Sequence, residues 1–149
     1  MSTLADPAVR SDCKRRIACL AADTTPQWGR MTARQMVCHL NDSFQVAMGR
    51  RYASPATNVL QRTLVKWIAL HVPVPWPHDV PTRPEVEQGV GGTPPGIWEE
   101  DRERLIGLLD EFAAWSAFAP HPIFETMSAS EWLIWGYKHV DHHLRQFGI

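Results

Sequence analysis

Apolar residues recur at helical spacing in five stretches of the chain, and nowhere do they keep the two-residue alternation of a half-buried strand. The first stretch opens at Asp6-Pro7, an N-cap residue followed by Pro at the first helical position, and sets Val9, Cys13, Ile17 and Leu20 on one face. It predicts a helix from Pro7 to about Ala22. Beyond Thr24-Thr25-Pro26-Gln27-Trp28-Gly29, the capping box Thr32-x-x-Gln35 opens a second helix that reaches about Gly49. Val59, Leu60, Thr63, Leu64, Trp67 and Ile68, with Arg62 and Lys66 between them, predict a third from about Ala56 to His71. Glu99, Glu100 and Asp101 suit the positive end of a fourth helix, whose apolar stripe is Leu105, Leu108, Leu109, Phe112 and Trp115. The box Ser128-x-x-Glu131 starts the last helix, which runs to about Phe147 and stops at Gly148.

Between the third and fourth patterns, Val72 to Gly96 carries Pro73, Pro75, Pro77, Pro81, Pro84, Pro94 and Pro95 with four glycines, which denies both helix and central strand. Val74, Trp76 and Val80 make it too apolar for a free linker, so it is expected to pack against the helices rather than divide two domains. The expectation is an all-α fold, with residues 1–149 forming one domain.

Composition narrows the partners. Fifteen Lys and Arg stand against sixteen Asp and Glu, a formal net charge of −1, so the electrostatic case for nucleic acid or an anionic membrane is missing. No window has the roughly 20 apolar residues of a membrane span, and the polar start, Met1 to Arg16, does not read as a secretory signal. A cytoplasmic protein is expected. Cys13, Cys19 and Cys38 are an odd, widely spaced set without a C-x-x-C, which fits reduced thiols better than a disulfide framework or a zinc ribbon.

Seven histidines carry the chemistry. His139-x-x-x-His143 sets two imidazoles one helical turn apart, the spacing at which both can reach one ion. With seven His in 149 residues, roughly 0.3 such pairs arise by chance, so facing has to decide. At 100° per residue His139 and His143 lie about 20° either side of Trp132, on the edge of the apolar arc that holds Leu133, Tyr137, Val140, Leu144 and Phe147. His142 falls with Glu131, Lys138, Asp141 and Arg145 on the solvent side. In the second helix His39 likewise borders the arc of Met36, Val37, Leu40, Phe44 and Ala47, beside Ser43 and Val46, whereas Cys38 lies about 100° away.

Three histidines on two helices thus share one setting, which admits two readings. They are either core residues held by hydrogen bonds, or the ligands of an ion with an open coordination position. In the second case Asp42, three residues after His39, and Gln146, three after His143, are placed to orient imidazoles. A three-imidazole set suits Zn, Ni, Fe or Cu, with zinc the first expectation and nickel the second.

The ending Lys138-His139-Val140-Asp141-His142-His143-Leu144-Arg145-Gln146-Phe147-Gly148 resembles the NHxxHHxxQ signature of the DinB-like superfamily, and Met31-Thr32-Ala33-Arg34-Gln35-Met36-Val37-Cys38-His39 resembles its other half. The resemblance is closest to a branch known only as a domain of unknown function. It extends over Leu4-Ala5-Asp6-Pro7, Trp28-Gly29-Arg30-Met31, Pro75-Trp76-Pro77 and His121-Pro122-Ile123-Phe124 before Ser128-x-x-Glu131-Trp132. It implies a four-helix bundle running up-down-down-up, here with a short extra helix and the long Pro/Gly-rich loop, and a divalent metal on His39, His139 and His143. Two departures stand out: Lys138 where the superfamily often has Asn, and Glu125 where Gly is expected.

Characterised members of that superfamily include thiol S-transferases that use bacillithiol, mycothiol or glutathione, and a mycothiol-dependent maleylpyruvate isomerase. The resemblance therefore implies a metal-dependent enzyme for a small-molecule substrate, with a low-molecular-weight thiol as cosubstrate, and a homodimer. The competing readings are a stress-linked metal- or small-ligand-binding protein without turnover, and a helical interaction domain without metal. A fourth protein ligand, Asp42 foremost, would favour a structural site.

The remaining residues have simpler expectations. Trp28, Trp98 and Trp115 are core or loop anchors, and Trp132 and Trp135, which flank the histidine face, are either core anchors or pocket walls. His121 is expected to serve local loop hydrogen bonds, and His71 and His78 to be exposed. Arg50-Arg51 reads as cations at a helix C-terminus, or else as a carboxylate site for the thiol.

Overall fold

A computed structural model describes residues 1–149 and is helical, with no strand beyond a single isolated bridge between His121 and Glu125. Helix α1 spans Pro7–Cys19, α2 Ala33–Ala47, α3 Lys66–His71, α4 Trp98–Ala114 and α5 Ala129–Gln146. The caps read from the sequence are formed. Asp6 accepts from Ala8 N, and both Thr32/Gln35 and Ser128/Glu131 close reciprocally.

Helices α1 and α2 each pack against both α4 and α5, and the apolar stripes of these four helices meet in one core. Phe44, Phe112, Trp132, Leu105, Leu109 and Leu144 are fully enclosed there. Gly136 of α5 permits close packing in this core: a Cβ at that position would stand 2.8 Å from Leu4 Cδ1 and 2.9 Å from Phe112 Cε1. None of the helices is long and apolar enough to cross a membrane.

The third helical pattern departs from expectation. It breaks into a π-helical turn, Gln61–Val65, followed by the short α3. The Thr63 hydroxyl donates to the Val59 carbonyl at 2.6 Å, competing for an acceptor that a regular helix would use. Leu70 is buried, but Val59, Leu60, Leu64, Trp67 and Ile68 are exposed. Lys138 explains how this arm is held: its Nζ donates to the Ala69 and Val72 carbonyls at the C-terminal end of α3, at 2.9 and 2.7 Å.

The segment between α3 and α4 lies on the helices, as its apolar content predicts. Val86 is buried within a 3₁₀ turn, Pro84–Val86, and the Trp76 indole donates to Ala69 O. Its cover corrects the placement of His142. That residue was expected in solvent, but Trp76 and His78 fold over α5 and leave it half-buried, 6.1 and 6.4 Å from their ring centres.

Glu125 occupies a left-handed backbone conformation, φ +62°, in the turn that joins it to His121. A Cβ raises the energy of that conformation by about 1–2 kcal/mol, which is why glycine suits the position. The partner Arg62 returns little, since both side chains of the pair are nearly half exposed. Glu125→Gly is therefore expected to raise stability by about 0.5 kcal/mol after glycine's entropy is subtracted, seen as a higher urea midpoint at unchanged slope.

Candidate metal centre

His39 projects from α2, and His139 and His143 project one turn apart from α5. Each offers a ring nitrogen within 4.8 Å of the other two, and the three ring centres stand 4.9, 5.0 and 5.2 Å apart. His39 and His143 are buried and His139 is half-buried. Burial, with the mutual repulsion of the rings added for His139 and His143, drives all three below the usual imidazole range. They are neutral at physiological pH and keep a lone pair each.

Hydrogen bonds fix which nitrogen carries that lone pair. His39 Nδ1 lies 3.0 Å from the Val86 carbonyl, which can only accept, so Nδ1 is the protonated nitrogen and Nε2 is bare. His143 Nδ1 lies 2.8 Å from Gln146 Oε1, while the Gln146 amide N–H₂ donates to Trp28 O at 2.9 Å. His143 Nδ1 is therefore a donor too, and its Nε2 is also bare. Gly29 makes room for this relay, because a Cβ there would stand 2.5 Å from Gln146 Nε2.

His139 completes the test. Its Nε2 is 3.3 Å from His39 Nε2, and its Nδ1 is buried with no partner. Without an ion, either two lone pairs face each other or a bare Nδ1 is left buried; both arrangements are costly. A tetrahedral ion with bonds of about 2.0–2.1 Å holds its nitrogens about 3.3–3.4 Å apart, which matches the observed separation. The donor set fits a metal.

A family model described as "Protein of unknown function (DUF1569)" matches residues 9–148. The chain belongs to this family. Neither a curated protein nor a solved structure matches it.

Asp42 does not act where the sequence suggested. Its oxygens accept from Thr93 N, Thr93 Oγ1 and Arg51 Nη1 at 2.7, 2.7 and 3.1 Å, and it makes no hydrogen bond to His39. Arg51 also donates to the carbonyls of Glu85 and Gly91. Asp42 and Arg51 thus pin the loop whose Val86 carbonyl orients His39, so the influence of Asp42 is transmitted one step removed. Arg50 pairs with Glu111 and lies over Trp115. Both arginines are committed within the protein, which removes the support for their reading as a carboxylate site.

Beside the three imidazoles opens a cavity of about 660 Å³. Trp132 and Trp135, buried in the core, also line it, so both roles open to them are filled, and Trp28, Trp76 and His142 line it as well. Trp28 was expected only as an anchor; it stacks on the exposed His78 at 3.9 Å and forms part of the mouth. The Val86 carbonyl left no sequence signal, because a backbone acceptor can sit on any residue type.

The cysteines stand apart from this chemistry. Cys38 Sγ donates to Asp101 at 3.5 Å. Burial raises the Cys13 thiol to about 11, and burial with the Asp101 charge raises Cys38 to about 12. Both therefore hold almost no thiolate near pH 8, whereas Cys19 is exposed. Native protein treated with iodoacetamide at that pH is expected to take up one label per chain, on Cys19, and three after unfolding, as read by peptide mass.

Proposed function

We propose that this chain is a divalent-metal-dependent enzyme of the DinB-like kind, with His39, His139 and His143 as ligands in a four-helix bundle of the up-down-down-up type. Zinc is the expected ion and nickel the second candidate, with a low-molecular-weight thiol as cosubstrate. The observation that carries the reading is that protein ligands stop at three. Asp42, the residue placed to close the shell, spends its oxygens on Thr93 and Arg51. A three-ligand set beside a cavity is the arrangement of catalytic rather than structural sites.

When bound, the ion supplies a Lewis-acid position that depresses the pKa of a thiol or water. The chain's own residues do the rest. Val86 O and Gln146 hold His39 and His143 with Nε2 inward. Trp76 and Trp135, 5.8 and 4.7 Å from the His139 ring, wall the site with apolar surface and limit water.

Cobalt(II)-loaded protein titrated with glutathione tests this reading, followed by conjugation to 1-chloro-2,4-dinitrobenzene. A saturable thiolate-to-cobalt absorption band and product formation that depends on metal are expected. Loaded protein whose spectrum no thiol alters would contradict the thiol assignment.

A further inference from the structure

Apart from the three-histidine cluster and His142, the cavity wall carries one more histidine, His121, in an unusual state. Residues His121 to Glu125 form a turn closed by His121 N→Glu125 O at 2.7 Å and Glu125 N→His121 O at 2.9 Å. Inside it, His121 Nδ1 accepts from both Ile123 N and Phe124 N at 3.0 Å. A nitrogen that accepts two backbone N–H groups carries no proton, so the neutral ring has its hydrogen on Nε2. Protonating Nδ1 would set a third hydrogen against those two donors. Burial acts in the same direction and pushes the group down to about 3. The expectation of local loop bonding thus accounts for Nδ1 alone.

The other nitrogen is unspent. Nε2–H of His121 makes no hydrogen bond to the protein, and the residue lines the cavity beside the metal centre. Its ring is clamped. Phe124 stacks on it at 4.6 Å and 15°, and Trp132 and Trp135 stand 5.3 and 5.6 Å away. Trp135 also packs 4.7 Å from His139, so a single indole separates this donor from the three-histidine cluster.

The surrounding wall is apolar, with Val46, Val65, Ile68, Val74, Val80 and Ile123 among its members. Of the charged residues on the lining, Arg30 and Asp79 are exposed to solvent, and the Arg83 guanidinium donates to Ser54 O and Oγ. A fixed neutral donor in such a wall polarises an oxygen without protonating it, and favours a ligand that supplies an acceptor over an isostere that lacks one.

We propose that His121 Nε2–H donates to a carbonyl oxygen of the molecule that enters this cavity, and that the cavity takes an uncharged, largely apolar carbonyl compound. The inference deepens the enzyme reading and rests on it for the claim that this compound is the electrophile; the binding claim can be read whether or not metal is loaded.

The test uses benzophenone and diphenylmethane, which differ in the carbonyl group, on full-length protein in metal-loaded and chelator-treated forms. His121→Asn is the variant of choice, because an Asn side-chain oxygen can still accept from the backbone two and three residues on, while the distal donor is lost. In His121→Asn the ratio of benzophenone to diphenylmethane affinity is expected to fall about tenfold, the worth of one neutral hydrogen bond, with diphenylmethane binding retained. The infrared carbonyl band of bound benzophenone is expected at lower frequency in wild type than in the variant. Nitrogen-15 spectra of the wild type should give His121 the Nε2–H pattern, a readout that does not depend on the variant folding. An unchanged ratio and band, a protonated Nδ1, or failure of both probes to bind would overturn the proposal. Success in the chelator-treated form alongside a failed thiol test would leave the carbonyl site standing and remove the enzyme reading.

Discussion

Protein carrying His143→Ala or His39→Ala is expected to emerge from purification without the divalent ion, while His142→Ala keeps it. The contrast is sharp because His142 and His143 are neighbours in sequence with different surroundings. His143 is held by Gln146 with Nε2 in the cluster, whereas His142 lies among Trp28, Trp76 and His78. Removing one of three imidazoles leaves two, which cannot hold a divalent ion through purification against buffer and chelator. The fold is expected to survive. His143→Ala strands the Gln146 oxygen at a cost of about 1–3 kcal/mol, within the stability of a domain of this size. Metal content by mass spectrometry and helical content by circular dichroism, measured on the same samples, separate loss of the ion from loss of the fold.

The second large effect is expected from a residue that touches no ligand. Asp42→Ala removes the acceptor of Thr93 N, Thr93 Oγ1 and Arg51 Nη1 together, and leaves the partly buried Arg51 cation without its carboxylate. Hydrogen bonds to a charged group are worth about 1.5–3 kcal/mol, so the chain should lose about 3 kcal/mol of stability in urea unfolding. The loop then no longer presents the Val86 carbonyl to His39 firmly, and metal affinity is expected to fall about 10–100-fold, as loss of ligand-orienting partners does elsewhere. Asp42→Asn should lie between, since its amide oxygen still accepts from Thr93.

The parts of this molecule that obey local rules were readable from the sequence. Two capping boxes and an Asp-Pro start placed three helix N-termini, and the helical period placed His39, His139 and His143 on the edges of apolar faces that do turn toward one another. Gln146 was found because its partner lies one turn away on the same helix.

What escaped the sequence depended on contacts between distant segments. The loop over α5 turned His142 from a surface residue into part of a cavity, and no helical wheel contains that loop. Asp42 was assigned to the nearest imidazole by spacing, yet Thr93 and Arg51 take its oxygens. The 59–68 pattern has helical periodicity, but most of its apolar residues face outward, because periodicity reports a stripe and not what covers it. Glu125 became intelligible only through its backbone angle.

Elemental analysis of tag-free wild-type protein, purified without added metal and then offered Zn or Ni, bears most directly on the central claim. About one divalent ion per chain is predicted, with three histidine nitrogens as its only protein ligands by X-ray absorption. Absence of a stoichiometric ion under all three conditions would contradict the metal centre and leave the histidine cluster as part of a helical core.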